Sequence, residues 1–261
     1  MRRYRTFHPL YLSFYSKPLY RDVGKNWRWV SFLYLLLLLS ICWIPIMFKL
    51  QSGVNKFVAE ELPKFVKQVP VITIDAGEVS IDAEVPYSIT DPDTDEVLVV
   101  IDTGGTFNSL EEVDAYALLT RTHLHMQKSP SETRTFDVAQ MEHLVIDRQT
   151  VYEWADAVKG WLAPVMFPFA VISSYIYRVL QILLYAAIGI LISRSMALTL
   201  DFQSLISLAI VADTPAIILN TVHNYADLGI PMWWAVSFIL SMGYLYFGIK
   251  ACSEDGPVIE I

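Results

Sequence analysis

Residues 30–50, VSFLYLLLLLSICWIPIMFKL, carry no charge before Lys49. About 20 apolar residues suffice to cross a bilayer as a helix. A cleaved signal peptide is the competing reading, but its apolar region should be shorter and should follow a short basic leader. Here the leader is 29 residues long and the run fills a bilayer. The stretch therefore reads as an uncleaved first span, and the rest of the chain is read outward from it.

Downstream, a second apolar region covers 161–193. Its 33 residues would make a helix of roughly 50 Å, longer than the roughly 30 Å hydrocarbon core. Pro164 and Pro168 are the natural break. Residues 150–168 then form an interfacial or external segment, and 170–193 the second span. A third span is expected at 203–222. A fourth is expected at 230–249, opening on Pro231, Trp233 and Trp234, an interfacial aromatic pair. The composition agrees: 54% hydrophobic and 18% charged residues over 261 positions, with a mean hydropathy of +0.41. Disorder is excluded. The net charge of −8 speaks against a nucleic-acid partner, which needs a basic face. Cys42 and Cys252 are the only cysteines, so no disulfide framework exists.

Charge sets the expected orientation. Residues 1–29 carry Arg2, Arg3, Arg5, Lys17, Arg21, Lys25 and Arg28 against one acid, Asp22. Residues 51–160 carry 8 basic and 20 acidic groups. The positive-inside rule puts the N-terminus in the cytoplasm and the acidic segment outside. Four spans return the tail, 250–261, to the cytoplasm. The leader also holds Tyr4, Phe7, Tyr11, Phe14, Tyr15, Tyr20, Trp27 and Trp29, so its basic residues are candidate contacts to an anionic membrane surface. A plain positive-inside anchor and a docking segment for a cytoplasmic partner are the alternatives.

Residues 51–69 place apolar side chains at helical spacing, with Pro63 as a bend. β-prone runs follow at 71–75, 78–81, 87–90, 97–102, 115–120 and 124–127, punctuated by Gly77, Asp91-Pro92-Asp93 and Gly104-Gly105. A helix is expected to start near Asp147. The fold class is thus an α-helical membrane protein with about four transmembrane helices and an inserted small α+β extracytoplasmic domain.

Asp91, Asp93, Asp95 and Asp102 resemble carboxylate positions one, three, five and twelve of a calcium loop. Glu96 stands where glycine is needed, and 97–101 reads as a strand, so a solvated hairpin turn is favoured. His123 and His125 share a strand face, but no third ligand is near. No metal or cofactor is expected. Arg178 and Asp213 are the charges inside expected spans. Such charges usually pair or line a polar cavity. They are read as a candidate intramembrane pair, with Thr214-Pro215 as a helix break that frees carbonyls. The alternative has Arg178 snorkelling to the interface and Asp213 locking packing. No GxSxG, HExxH, Walker A or GxGxxG motif is present, and no catalytic residue is assigned.

Several short motifs carry a resemblance. They are Ser13-Phe14-Tyr15-Ser16-Lys17 with Gly24-Lys25, residues 70–75 with Gly77-Glu78-Val79-Ser80, Pro86-Tyr87-Ser88-Ile89, Ile101-Asp102-Thr103-Gly104, and Ala212-Asp213-Thr214-Pro215. Together they resemble the bacterial membrane family called domain of unknown function 1189, over about residues 10–250. Its members include proteins labelled for maltodextrin utilization, and a distant likeness to Yip-type multi-span proteins is noted. The resemblance implies an inner-membrane protein with several spans and an extracytoplasmic insert. It supplies no catalytic residue, and no sugar-binding constellation is recognised.

The first expectation is therefore a non-enzymatic accessory or scaffold protein of the bacterial inner (cytoplasmic) membrane, multi-pass, with both termini cytoplasmic. Its partners would be the lipid bilayer and a membrane or periplasmic protein, or a second copy of itself. The second is a transport or lipid-handling component using Arg178, Asp213 and the Thr214-Pro215 break. An intramembrane enzyme is the third.

Overall fold

A computed structural model describes residues 2–129, 132–139 and 141–253. The part of the expected tail beyond 253 lies outside the described residues. The chain divides into two compact units, 1–50 with 163–261, and 51–162. It is 59% helix with two small sheets.

The first unit is a helical bundle. A short helix α1 (Pro9–Leu12) precedes α2 (Lys17–Asn26), whose start is capped by Ser16 accepting from the Leu19 amide. The chain then turns at Arg28, in the left-handed region at φ 34, into α3 (Arg28–Lys56). The remaining long helices are α5 (Arg148–Ser195), the pair α6 (Phe202–Ala212) and α7 (Thr214–Tyr225), and α8 (Trp233–Ser253). Among the described residues, four helical stretches are long and apolar enough to cross a membrane: 28–66, 148–195, 202–225 and 233–253. The α6–α7 stretch is the enclosed one, 72% buried against 28–39% for the others. Seven of the eight residues 205–212 are buried, as in a helix surrounded on all sides. Gly189 of α5 permits this enclosure: a Cβ there would meet Leu205 at 3.3 Å and Leu245 at 3.6 Å.

One expectation is corrected in this unit. Pro164 and Pro168 do not break α5, which runs through both for 48 residues. Each proline removes one N–H bond, and at a spacing of four the losses fall on one face of the helix, while the remaining ladder holds. The leader also packs into the bundle through one set of its side chains. Leu19, Tyr20, Val23 and Trp27 are buried in the same core as Leu205, Leu208 and Ile249. For the leader's own side chains, which would otherwise face water, such burial is worth about 1.5–3 kcal/mol each. Gly248 allows the approach, since a Cβ there would stand 2.6 Å from the Tyr20 ring.

The second unit holds the sheets. After α3 the helix widens into a π-helical turn at Phe57–Glu61, then continues as α4 (Leu62–Val66). The Leu62 amide reaches back to Phe57 O, an i→i+5 bond, one residue before Pro63, which has no amide hydrogen to give. The expected bend at Pro63 thus takes the form of a widened turn. Strands β1 (Ile72–Asp75), β2 (Glu78–Ile81) and β8 (His143–Ile146) form one antiparallel sheet in the order β2-β1-β8. Gly77, at φ +80 in the β1–β2 turn, sits against the Ala139 backbone, where a Cβ would lie 2.5 Å away.

Strands β3 (Tyr87–Thr90), β4 (Val97–Asp102), β5 (Ala117–Thr120), β6 (His123–Ser129) and β7 (Glu132–Asp137) form the other sheet, in that order. Only β4–β5 pairs in parallel among these neighbours. Both faces of β4 are covered, which explains its unbroken apolar run. Ile101 joins Ile72, Ile74 and Val79 in one cluster, while Val100 joins Leu118 and Leu110 of a 3₁₀ turn in another. At the helical end, Asp147 accepts from both the amide and the hydroxyl of Thr150, capping α5 where a helix start was expected. These bonds hold the Asp147 carboxyl below the usual range.

Candidate functional site

The strongest polar constellation of the helical unit grows from the α6–α7 break. Pro215 has no N–H for the carbonyl of Val211, so the helix is interrupted and restarts at Thr214. Asp213 occupies the junction, its amide still bonded to Ala209 O and its carbonyl to the Ile217 amide. Its carboxylate is 1% exposed and cannot stand alone, because an unpaired charge in an apolar interior costs several kcal/mol.

Four helical stretches supply its surroundings. Arg178 Nη1 of α5, 13% exposed, lies 3.2 Å from Asp213 Oδ2, and the same nitrogen donates to Gln181 Oε1 at 2.6 Å. Gln181 passes the chain on by donating to the Tyr185 hydroxyl at 2.6 Å. Ser241 Oγ of α8 lies 2.6 Å from Asp213 Oδ1 and 2.9 Å from Ser237 O. Its single proton goes to the carboxylate, the charged and closer acceptor. From α3, the buried Tyr34 hydroxyl shares a 2.8 Å hydrogen bond with Thr214 Oγ1. The four residues singled out in the sequence, Arg178, Asp213, Thr214 and Pro215, thus meet in one place.

Beside this network is a cavity of about 180 Å³, lined by Cys42, Trp43, Ser174, Arg178, Asn220 and Thr221 among others. That is room for several waters at about 30 Å³ each. Trp43 Nε1 donates to Ser174 Oγ across it, at 2.8 Å.

In the leader, Asp22 is the organising group. Its carboxylate accepts from the Arg3 amide (3.0 Å), the Tyr4 amide (3.2 Å), Asn26 Nδ2 (2.8 Å) and Trp27 Nε1 (3.0 Å). Burial pushes this carboxyl up, but the four donors outweigh it and bring it below the usual value. Arg2 lies over the Trp27 ring at 5.3 Å and Arg3 over Tyr4 at 5.8 Å. Arg21 Nε donates to Ala251 O at 2.9 Å, at the end of α8. Arg2, Arg3, Arg5, Lys25 and Arg28 are exposed, whereas Lys17 and Arg21 are half-buried.

The sheet unit places its polar residues differently from a calcium loop. Asp91 to Glu96 make the β3–β4 turn, with Asp91 Oδ1 accepting the Asp93 amide and Asp91 N donating to Glu96 O. Asp102 stands at the other end of β4, fully buried, its two oxygens taken by the amides of Gly104 and Phe107. His123 and His125 do share a face, with ring centroids 6.0 Å apart. Their Nδ1 atoms meet the hydroxyls of Thr122 and Thr135. Burial and the neighbouring His123 ring lower the basicity of His125. Among the described residues no group of three or more His, Cys, Asp or Glu side chains could hold a metal ion.

Sequence reasoning missed Tyr34, Gln181, Tyr185 and Ser241. A lone serine or tyrosine in an apolar run is ordinary, and only the i, i+3 and i, i+7 spacing of Gln181 and Tyr185 from Arg178 on one helix face was a signal. It also missed Asp22, which as a single acid among basic residues looked like a mere correction to the charge.

A search of curated proteins and a search of solved structures each returned no match. The family match names no activity, and carries neither the maltodextrin label nor the Yip-type likeness. It covers residues 7–249, from the leader through the inserted sheets to the last long helix, and on that extent the chain belongs to the DUF1189 family of proteins of unknown function.

Proposed function

We propose that the protein is a non-enzymatic, multi-pass accessory or scaffold protein of the bacterial inner membrane, with both termini cytoplasmic. Its inserted α+β domain lies outside and holds a protein partner. The observation that carries the reading is the β6–β7 hairpin. All six residues of β7 are exposed, and β7 is an edge strand of the five-stranded sheet. Leu124 and Phe136 face each other across the pair, with Met126 beside them; Met126 and Phe136 are exposed. An open edge flanked by an apolar patch is a template for strand addition. The acidic excess of 51–160 favours a basic partner surface. The polar network in the helices supports the same reading, because its groups are mutually satisfied and act as a staple.

A photo-crosslinking residue at Thr135 tests this. The expected result is one discrete adduct in intact cells, lost when Phe136→Asp is added. Absence of any adduct, with the chain purifying alone in mild detergent, would refute it. The orientation is tested by cysteine labelling. An impermeant reagent should modify a cysteine introduced at Asp93 in intact spheroplasts, and one at Arg5 only after lysis.

A second reading is favoured by the cavity beside Arg178. A polar pocket between candidate spans suits a transport or lipid-handling component. In that case a bound small molecule or lipid should co-purify with the lone chain and be lost on filling the cavity with Thr221→Phe.

A further inference from the structure

The leader carries a charge arrangement that the partner-binding role does not use. Arg2, Arg3, Arg5 and Arg28 pair with no carboxylate among the described residues. The one acid of this stretch, Asp22, is 7% exposed and turned inward onto four donors. Those bonds pin the backbone of residues 3 and 4 to α2, and α2 is seated on the ends of α6 and α8 through Ser204–Gly24 and Arg21–Ala251 contacts. In the same leader, Phe7, Tyr11 and Tyr15 are 60%, 54% and 65% exposed, and Trp29, at the start of α3, is 75% exposed.

We infer that the leader is a preorganised binding surface for anionic phospholipid headgroups, in which Arg2, Arg3 and Arg5 meet the headgroup charge, the exposed rings enter the interfacial layer, and Asp22 is the positioning residue that holds the arginines in place. The occupant follows from the chemistry. Several cations with no carboxylate partner among the described residues, in a leader that also exposes amphipathic rings at one end of a bundle of membrane-length helices, match an anionic lipid surface. The inference does not rest on the hairpin's partner, and the two fail separately.

The pivotal test is the sign of the Asp22 effect. A mere count of charges says that removing an acid strengthens anionic-lipid binding. Positioning says that it weakens it. Full-length protein in detergent is titrated with phosphatidylglycerol or phosphatidylcholine, and bound lipid is read by native mass spectrometry. Wild type should prefer phosphatidylglycerol. The variant R2Q/R3Q/R5Q, altered only in exposed side chains, should lose that preference by on the order of fivefold per arginine. Asp22→Ala should lower phosphatidylglycerol retention without lowering phosphatidylcholine retention. Equal retention by the triple variant and wild type would overturn the inference. So would tighter phosphatidylglycerol binding by Asp22→Ala, or parallel loss of both lipids. If Asp22→Ala does not give monodisperse protein, Asn26→Ala, which removes one strut from the same carboxylate, replaces it with the same expected direction.

Discussion

Replacing Asp213 by asparagine keeps the shape of the side chain and removes its charge. Two effects add. The Ser241 bond, 2.6 Å to a carboxylate, becomes a neutral one and loses about 1 kcal/mol. Arg178, 13% exposed, loses its counter-charge but keeps Gln181 at 2.6 Å and an opening to the cavity, so its loss, about 2 kcal/mol, falls below the roughly 3–5 kcal/mol of breaking a fully buried pair. Asp213→Asn should therefore destabilise the helical unit by about 3 kcal/mol, roughly 150-fold in the folding equilibrium. Arg178→Met should cost at least as much, because the remaining carboxylate is 1% exposed and keeps one donor. The double variant should recover at least about 2 kcal/mol relative to the sum of the singles, since a neutral Asn–Met pair leaves neither an unpaired guanidinium nor an unpaired carboxylate in the interior. Reversible unfolding in mixed micelles, followed by tryptophan emission, measures all three. Additive singles, or singles within about 0.5 kcal/mol of wild type, would show that the pair does not hold the helices.

Asp22 gives a pH dependence of known sign. Its carboxyl lies below the usual value in the folded leader, so its contribution is fully present above the unfolded value of about 3.9 and is lost as pH falls through the lower folded one. Hydrogen exchange at the Arg3 and Tyr4 amides, corrected for intrinsic rates, should lose protection in that window, and Asp22→Asn should flatten the profile. Gly248→Ala should unseat α2, since the added methyl would lie 2.6 Å from a fully buried tyrosine ring. A cost of about 1–3 kcal/mol and faster proteolysis of residues 2–27 are expected, against no change for Gly243→Ala, where the space is open. Gly77→Ala combines a left-handed backbone with a 2.5 Å clash against the Ala139 backbone, so it should cost more than about 2 kcal/mol and reduce yield of the full chain, while Gly53→Ala should not.

The apolar runs were legible because lipid-length hydrophobicity is a property of sequence alone. So were β2, β3 and β4, where β-branched runs end in turn residues, and the capped start at Asp147. Two strands were not. β7 reads Glu-Thr-Arg-Thr-Phe-Asp and is exposed on both faces, so no burial period marks it. β8 is four residues long and defined by pairing with β1, a partner 68 or more residues earlier. The parallel β4–β5 pairing is likewise a fact of topology. Arg178 and Asp213 stood out because charge is rare in apolar runs. Their neighbours did not, because Ser241 becomes polar glue only once helix packing turns it toward a carboxylate. The continuity of α5 through two prolines was hidden for another reason: each proline argues locally for a break, whereas the hydrogen bonds left on the rest of the helix carry it through.

The enclosure of α6 divides the evolutionary freedom of the helical unit unevenly. A residue such as Leu208 or Ala209 has neighbours on every side, so any exchange there must preserve volume and shape at once. Outward residues of α3, α5 and α8, such as Leu33, Leu180 or Ile239, need only suit whatever medium or companion touches them. One axle is thus held constant while the rim around it can be recut for new neighbours.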